Sequence, residues 1–178
     1  ILMVLLTTLS CRAQIIAVED FENYNQELSE GTHVKDVNNL LDKYVGTWKG
    51  TYDSKNYEFM IIKYTRTSNN RNLKFDKLLM RYKITDSSNN IIVNTLDLPN
   101  GDIYIVRGSY LSSSGGYKLS YQGLDAECGQ NGTIYISAYG ANHTKLQLFL
   151  MVSGEIHDCS SGNAEQIMPM ESMELIKQ

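Results

Sequence analysis

The sequence predicts an all-β protein: an antiparallel up-and-down β-barrel of about eight or nine strands, preceded by a short N-terminal helix. Three observations carry this reading. From Trp48 onward, apolar and polar residues alternate with a period of two. Clusters of Asn, Asp, Ser and Gly interrupt that alternation at intervals of roughly 8–15 residues, which suits hairpins and is short for helical crossovers. The chain has 178 residues, of which 42% are hydrophobic and 20% charged, with only 2 Pro. That composition belongs to ordinary globular domains and supports one core without metals or dense disulfides. With 16 basic against 20 acidic side chains the net charge is −4, and a pI near 5.4 argues against nucleic acid as the main partner, since phosphate binding needs a basic face.

Residues Ile1 to Ser10 carry no charge and run apolar through Leu6. They read as the hydrophobic region of an export signal, too short for the roughly 20 apolar residues that span a bilayer. The opening Ile and the lack of basic residues ahead of the run suggest that a few leading residues are missing. Two cleavage readings compete. Thr8-Leu9-Ser10-Cys11 resembles a bacterial lipobox, cut before Cys11, whose thiol then carries a lipid and anchors the protein to a membrane. Cys11-Arg12-Ala13 resembles a small-x-small site, cut before Gln14, which frees it. The lipoprotein reading is preferred, because a Cys directly after such a run has few other uses.

The segment from Ala13 to Thr32 is polar and without period, so residues 11–32 are expected to be a tether or loosely packed arm, ahead of a barrel domain at 33–178. Val34, Val37, Leu40, Leu41, Tyr44 and Val45 recur at spacings of three and four, the pattern of a short amphipathic helix capped by Thr32 and stopped by Gly46. Nine strand-like runs follow: 48–52, 57–64, 78–84, 91–96, 103–110, 117–121, 133–138, 145–152 and 173–176. Leu78, Met80, Tyr82 and Ile84 face one way and Lys77, Arg81 and Lys83 the other; Tyr117, Leu119 and Tyr121 oppose Lys118 and Ser120. Strands with one wet face can hide the other by closing into a barrel or folding into a sandwich, and only closure, with the last run paired to the first, would remove every edge.

Removing Cys11 leaves Cys128 and Cys159. In an exported chain a disulfide between them is the default reading, with two free thiols as the alternative. The bridge would close a loop of about 30 residues, a contribution of roughly 3–4 kcal/mol in the chain-entropy model. No zinc spacing surrounds either Cys. His33, His143 and His157 lie far apart beside polar turns, and the Ser residues cluster in turns without a nucleophile elbow, so no catalytic set and no cofactor is expected. Asp125, Glu127, Glu155 and Asp158 gather around the expected bridge and read as solvated loop rather than a calcium site, so no metal ligand is assigned. Tyr57, Phe59, Met80, Tyr82 and Tyr121 would line the inner face of a barrel, as half-buried sheet tyrosines or as a pocket for a small apolar or aromatic ligand.

Gly46-Thr47-Trp48, after the expected helix and opening the first strand, resembles the Gly-x-Trp signature of the lipocalin and wider calycin group. The resemblance implies a lipocalin-like barrel whose Trp48 plugs the closed end. Over most of its length the chain is also similar to a Bacteroidota family of small exported proteins of unknown function. That likeness lies in Cys11-Arg12-Ala13-Gln14, in the stretch from Asp36 to Tyr52 and in Glu127-Cys128-Gly129-Gln130. Ser113-Ser114-Gly115-Gly116-Tyr117-Lys118 resembles, loosely, the loop by which small barrel lipoproteins inhibit lysozymes. The expected function is a non-enzymatic envelope protein that binds a small hydrophobic ligand inside the barrel. The alternative is a protein-binding module or inhibitor acting through the loops.

Overall fold

The computed structural model describes residues 14–154, 159–160 and 162–178. Eleven strands form one sheet: β1 (Ile15–Ala17), β2 (His33–Lys35), β3 (Gly46–Tyr52), β4 (Lys55–Ser68), β5 (Leu73–Thr85), β6 (Ile91–Asn94), β7 (Val106–Leu111), β8 (Tyr117–Gln122), β9 (Asn131–Tyr139), β10 (Lys145–Val152) and β11 (Met173–Lys177). Eight of them close an antiparallel barrel in the order β3-β4-β5-β7-β8-β9-β10-β11. Closure is made where Ile176 and Lys177 of β11 pair with Lys49 and Trp48 of β3, and where Leu79 and Met80 of β5 pair with Arg107 and Val106 of β7. The expected pairing of last strand with first is present. β6 stands off the ring against the end of β5.

The period of two places alternate residues in the core. Leu78, Met80, Tyr82 and Ile84 are wholly buried, as are Phe59, Ile61, Leu119, Leu146 and Leu148. Each such side chain contributes roughly 1.5–3 kcal/mol by leaving water. The outer face of β5 is drier than its alternation predicts: Leu79 is 1% and Arg81 7% exposed. The loop before β7 covers it, with the Arg81 guanidinium donating to the Leu98 carbonyl at 3.0 Å and to Asn100.

Two N-terminal expectations are corrected. No helix spans 34–45; β2 is followed by turns and a single 3-10 turn at Asp42–Tyr44. The buried Asp36 carboxylate accepts the Leu40 and Leu41 N–H groups at 2.7 and 3.2 Å, and Asn39 takes a positive φ of 54°, so local side-chain capping competes with the helical ladder. Part of the expected loose arm is packed. β1 pairs in parallel with β2, and β2 with the start of β5. Ile16 and Val18 are buried, and Phe21 packs edge-on against Phe75 at 5.9 Å.

Trp48 lies wholly buried at the end of the barrel that this N-terminal segment covers. Its indole N–H donates to the Tyr44 carbonyl at 2.8 Å, and the Tyr44 hydroxyl donates to the Gly115 carbonyl at 2.7 Å in the β7–β8 turn. The Lys177 ammonium sits 5.1 Å from the Trp48 ring centre. Gly46 serves this arrangement twice: its φ is +135°, and a Cβ would stand 2.8 Å from Lys177 Cε.

Candidate functional site

The opposite end is the barrel's mouth. There lie the β3–β4 turn, the β8–β9 loop and the β10–β11 connection. Four predicted lining residues form a continuous aromatic series: Tyr57 and Phe59 (ring centres 6.0 Å apart, stacked), Phe59 and Tyr82 (6.5 Å), Tyr82 and Tyr121 (6.3 Å, edge-on). Met80 is wholly buried in the same core. Strand register brings them together, since Phe59 pairs with Tyr82 across β4 and β5 while Tyr57 and Tyr121 point inward from β4 and β8.

A strap, residues 162–172, closes the mouth over this series. The Tyr57 hydroxyl donates to the Ile167 carbonyl at 3.0 Å, and the Met168 side chain is 2% exposed within the core cluster. The Leu150 N–H donates to the Pro169 carbonyl at 2.6 Å, and the Ala164 N–H to the Cys128 carbonyl at 2.8 Å. Gln130 bridges loop and strap, its amide NH₂ donating to the Glu165 carbonyl at 2.6 Å while its oxygen accepts the Asp125 N–H at 3.2 Å. Gln166 reaches back to the Gly129 carbonyl at 2.7 Å. Cys128 and Cys159 form the expected disulfide, with Cα atoms 5.5 Å apart, tying the β8–β9 loop to the chain just before the strap.

The mouth is under-satisfied. Among the described residues five buried side-chain polar atoms lack a hydrogen-bond partner, and four belong to this end: the hydroxyls of Tyr82 and Tyr121 and the amide oxygens of Asn131 and Gln166. A buried group without a partner costs about 1–3 kcal/mol. The Tyr82 and Tyr121 rings meet edge-on at 6.3 Å, and neither hydroxyl has a hydrogen-bond partner among the described residues. Desolvation pushes Tyr82 up to about 12 and raises Tyr121 too. Both remain neutral donors at any physiological pH.

Two grooves flank the mouth. One of about 230 Å³ runs between Ile103–Tyr104 and Gln122–Cys128. Gly123 lines it and backs directly onto the site, for a Cβ there would stand 2.5 Å from the Tyr121 hydroxyl. The other, about 610 Å³ over the outside of β8 and β9, is shallow and lined largely by polar residues such as Ser120, Gln122 and Glu127. Tyr121 is among the residues that line this larger groove, and it lines no part of the smaller one.

The clustered charges lie at the covered end and hold the chain together. Asp36 pairs with Lys63 at 3.2 Å, and Lys63 also with Asp42. Burial pushes Asp76 up, but hydrogen bonds from His33, the Asp36 N–H and Thr65 outweigh it and hold its pKa below the ordinary value. Glu22 accepts the Ser113 N–H at 2.6 Å and the Ser112 hydroxyl at 3.2 Å, which with Lys118 bring it down to about 2. This clasp pins the Ser113–Lys118 segment to the N-terminal cover. No group of three His, Cys, Asp or Glu among the described residues is arranged to hold a metal ion.

The structure therefore brings Tyr57, Phe59, Met80, Tyr82 and Tyr121 together with the Cys128–Cys159 bridge near one end, and puts Gly46 and Trp48 at the other. Cys11 and the expected export signal at 1–10 lie outside the described residues, as do Glu155, His157 and Asp158. Gln130, Gln166, Met168 and Gly123 went unrecognised in the sequence. Only Gln130 had a signal, in the Glu127-Cys128-Gly129-Gln130 turn. The strap carries no periodicity to betray its docking.

These features define a closed eight-stranded antiparallel β-barrel with a strapped, aromatic mouth. The chain belongs to a family of unknown function (DUF6705), whose model matches residues 1–114. That span holds Tyr57, Phe59, Met80 and Tyr82, while Tyr121, the disulfide and the strap lie beyond it. No curated protein and no solved structure matches the chain.

Proposed function

We propose that this is a non-enzymatic, exported binding protein of calycin-like build, anchored to the cell envelope through a lipid on Cys11, that takes a small apolar ligand at the barrel mouth. One observation carries the reading: two buried tyrosine hydroxyls without partners among the described residues stand in an aromatic series beneath a strap. Buried polar groups in a settled core are nearly always paired, so unpaired ones at a barrel mouth mark a place for another molecule. Met168, the unbranched residue of the strap that fills the mouth, is suited to swinging aside. Export agrees with the disulfide, which persists in oxidising compartments.

Native mass spectrometry of protein purified from its own envelope tests both parts. The expected result is a small molecule released on denaturation, together with the mass of a lipid on Cys11. A bare chain overturns the ligand, and a mature form beginning at Gln14 overturns the anchor. The alternative, a protein-binding module or inhibitor acting through the loops around Ser112–Gly116 and Cys128, is weaker because the first loop is clasped by Glu22 and Tyr44 and the second is held by the disulfide and the strap.

A further inference from the structure

We propose that the mouth selects a neutral hydrogen-bond acceptor, a carbonyl borne by a small apolar ring system, through the hydroxyls of Tyr82 and Tyr121. The inference rests on reading the mouth as a ligand site and adds the chemical class of the ligand. Tyr82 is wholly buried and Tyr121 is 2% exposed, and neither hydroxyl has a partner among the described residues. Even if one donated to the other, the second O–H would still lack an acceptor, since each phenol carries a single proton to give. The site is thus short of an acceptor, and a carbonyl oxygen has two lone pairs to offer.

Charge decides which acceptor. Among the described residues no Lys or Arg donates to either phenol or stacks on either ring. At the rim the Lys55 ammonium is 3.6 Å from both Asp53 and Glu165, and Asp125 and Glu127 follow in the adjoining loop. A carboxylate entering here would be buried without a counter-ion behind an acidic rim, which is strongly unfavourable. A ketone or amide meets the same donors without that penalty. The groove of about 230 Å³ runs beside the two phenols rather than over them, with Gly123 between it and the Tyr121 hydroxyl, so a ligand reaches them only where the mouth gives way. A site built to hydrogen-bond a polar atom also rejects the analogue that lacks it.

Three probes that share a ring test this on the oxidised protein by isothermal titration: 2-acetylnaphthalene, 2-naphthoate and 2-ethylnaphthalene. The acetyl compound is expected to bind about tenfold tighter than either of the others, the value of one hydrogen bond. In the Tyr82→Phe/Tyr121→Phe double variant, which keeps the rings, the acetyl advantage over ethyl should disappear while ethyl binding holds. Naphthoate binding as tightly as the ketone, or an acetyl advantage that survives in the double variant, overturns the inference. Equal binding of acetyl and ethyl probes also overturns it and leaves the ligand site standing. Failure of all three to bind removes the ligand site itself, and the inference with it.

Discussion

The two ends of the barrel are built from the same residue types and are finished differently. At the covered end, among the described residues, the buried aromatic polar tips of Trp48, Tyr44 and Tyr117 each have a partner: Trp48 donates to the Tyr44 carbonyl, Tyr44 to the Gly115 carbonyl, and Tyr117 accepts the Leu78 N–H at 3.2 Å. At the mouth Tyr57 is satisfied by the strap, but among the described residues Tyr82 and Tyr121 have no partner. A tyrosine brings a large apolar payload with one polar handle, and stability requires both to be placed. The covered end meets that requirement and is structural. The mouth meets only the apolar half, and that shortfall is what the proposed ligand site rests on.

Substitution can break or sharpen this contrast. Trp48→Ala should show the largest effect, about 3–5 kcal/mol by chemical denaturation, because it empties a fully buried site; a cost near 1 kcal/mol would deny the covered end its role. Next is the mouth's staple. Reducing Cys128–Cys159 should remove roughly 3–4 kcal/mol in the chain-entropy model. Its effect on hydrogen exchange should concentrate in the strap and the β8–β9 loop, and uniform loosening would mean that the bridge does not act on the mouth.

The paired tyrosines give the most direct comparison. Tyr44→Phe should cost about 1 kcal/mol through the hydrogen bond it loses, while Tyr82→Phe and Tyr121→Phe should be neutral or stabilising by up to about 1 kcal/mol, since each removes an unsatisfied hydroxyl. Equal losses at both ends would erase the distinction.

The smallest effect is expected from acid. Glu22 is held down to about 2 from an ordinary 4.5, and Asp76 is also lowered. Carboxylates lowered on folding stabilise above their unfolded pKa and lose that contribution as the pH falls through the folded one. The window is therefore about pH 5 down to 2. Both groups fasten the N-terminal cover, so the Val18 and His33 amides, which donate to the Lys35 and Gln14 carbonyls, should exchange faster across it while the barrel stays protected. Glu22→Gln should flatten that dependence, and an unchanged profile would release Glu22 from the clasp.

The sequence by itself determined the barrel. Alternation fixes which face of each strand is apolar, turn clusters fix where strands end, and closure is the one arrangement that leaves such a meander without edges. The inward series Tyr57, Phe59, Met80, Tyr82 and Tyr121 was legible for that reason, and the disulfide followed from an even pair of Cys in a chain expected to be exported. The missing helix was not legible, because spacings of three and four also describe a chain that Asp36 caps into turns. Nor was the buried Arg81, which owes its burial to a loop folding over from another part of the chain. Only tertiary structure decided which tyrosines keep a hydrogen-bond partner and which do not. Pattern specifies the side a residue faces, whereas satisfaction of its polar atom depends on backbone from distant segments arriving within 3 Å or so, and at the mouth it does not arrive.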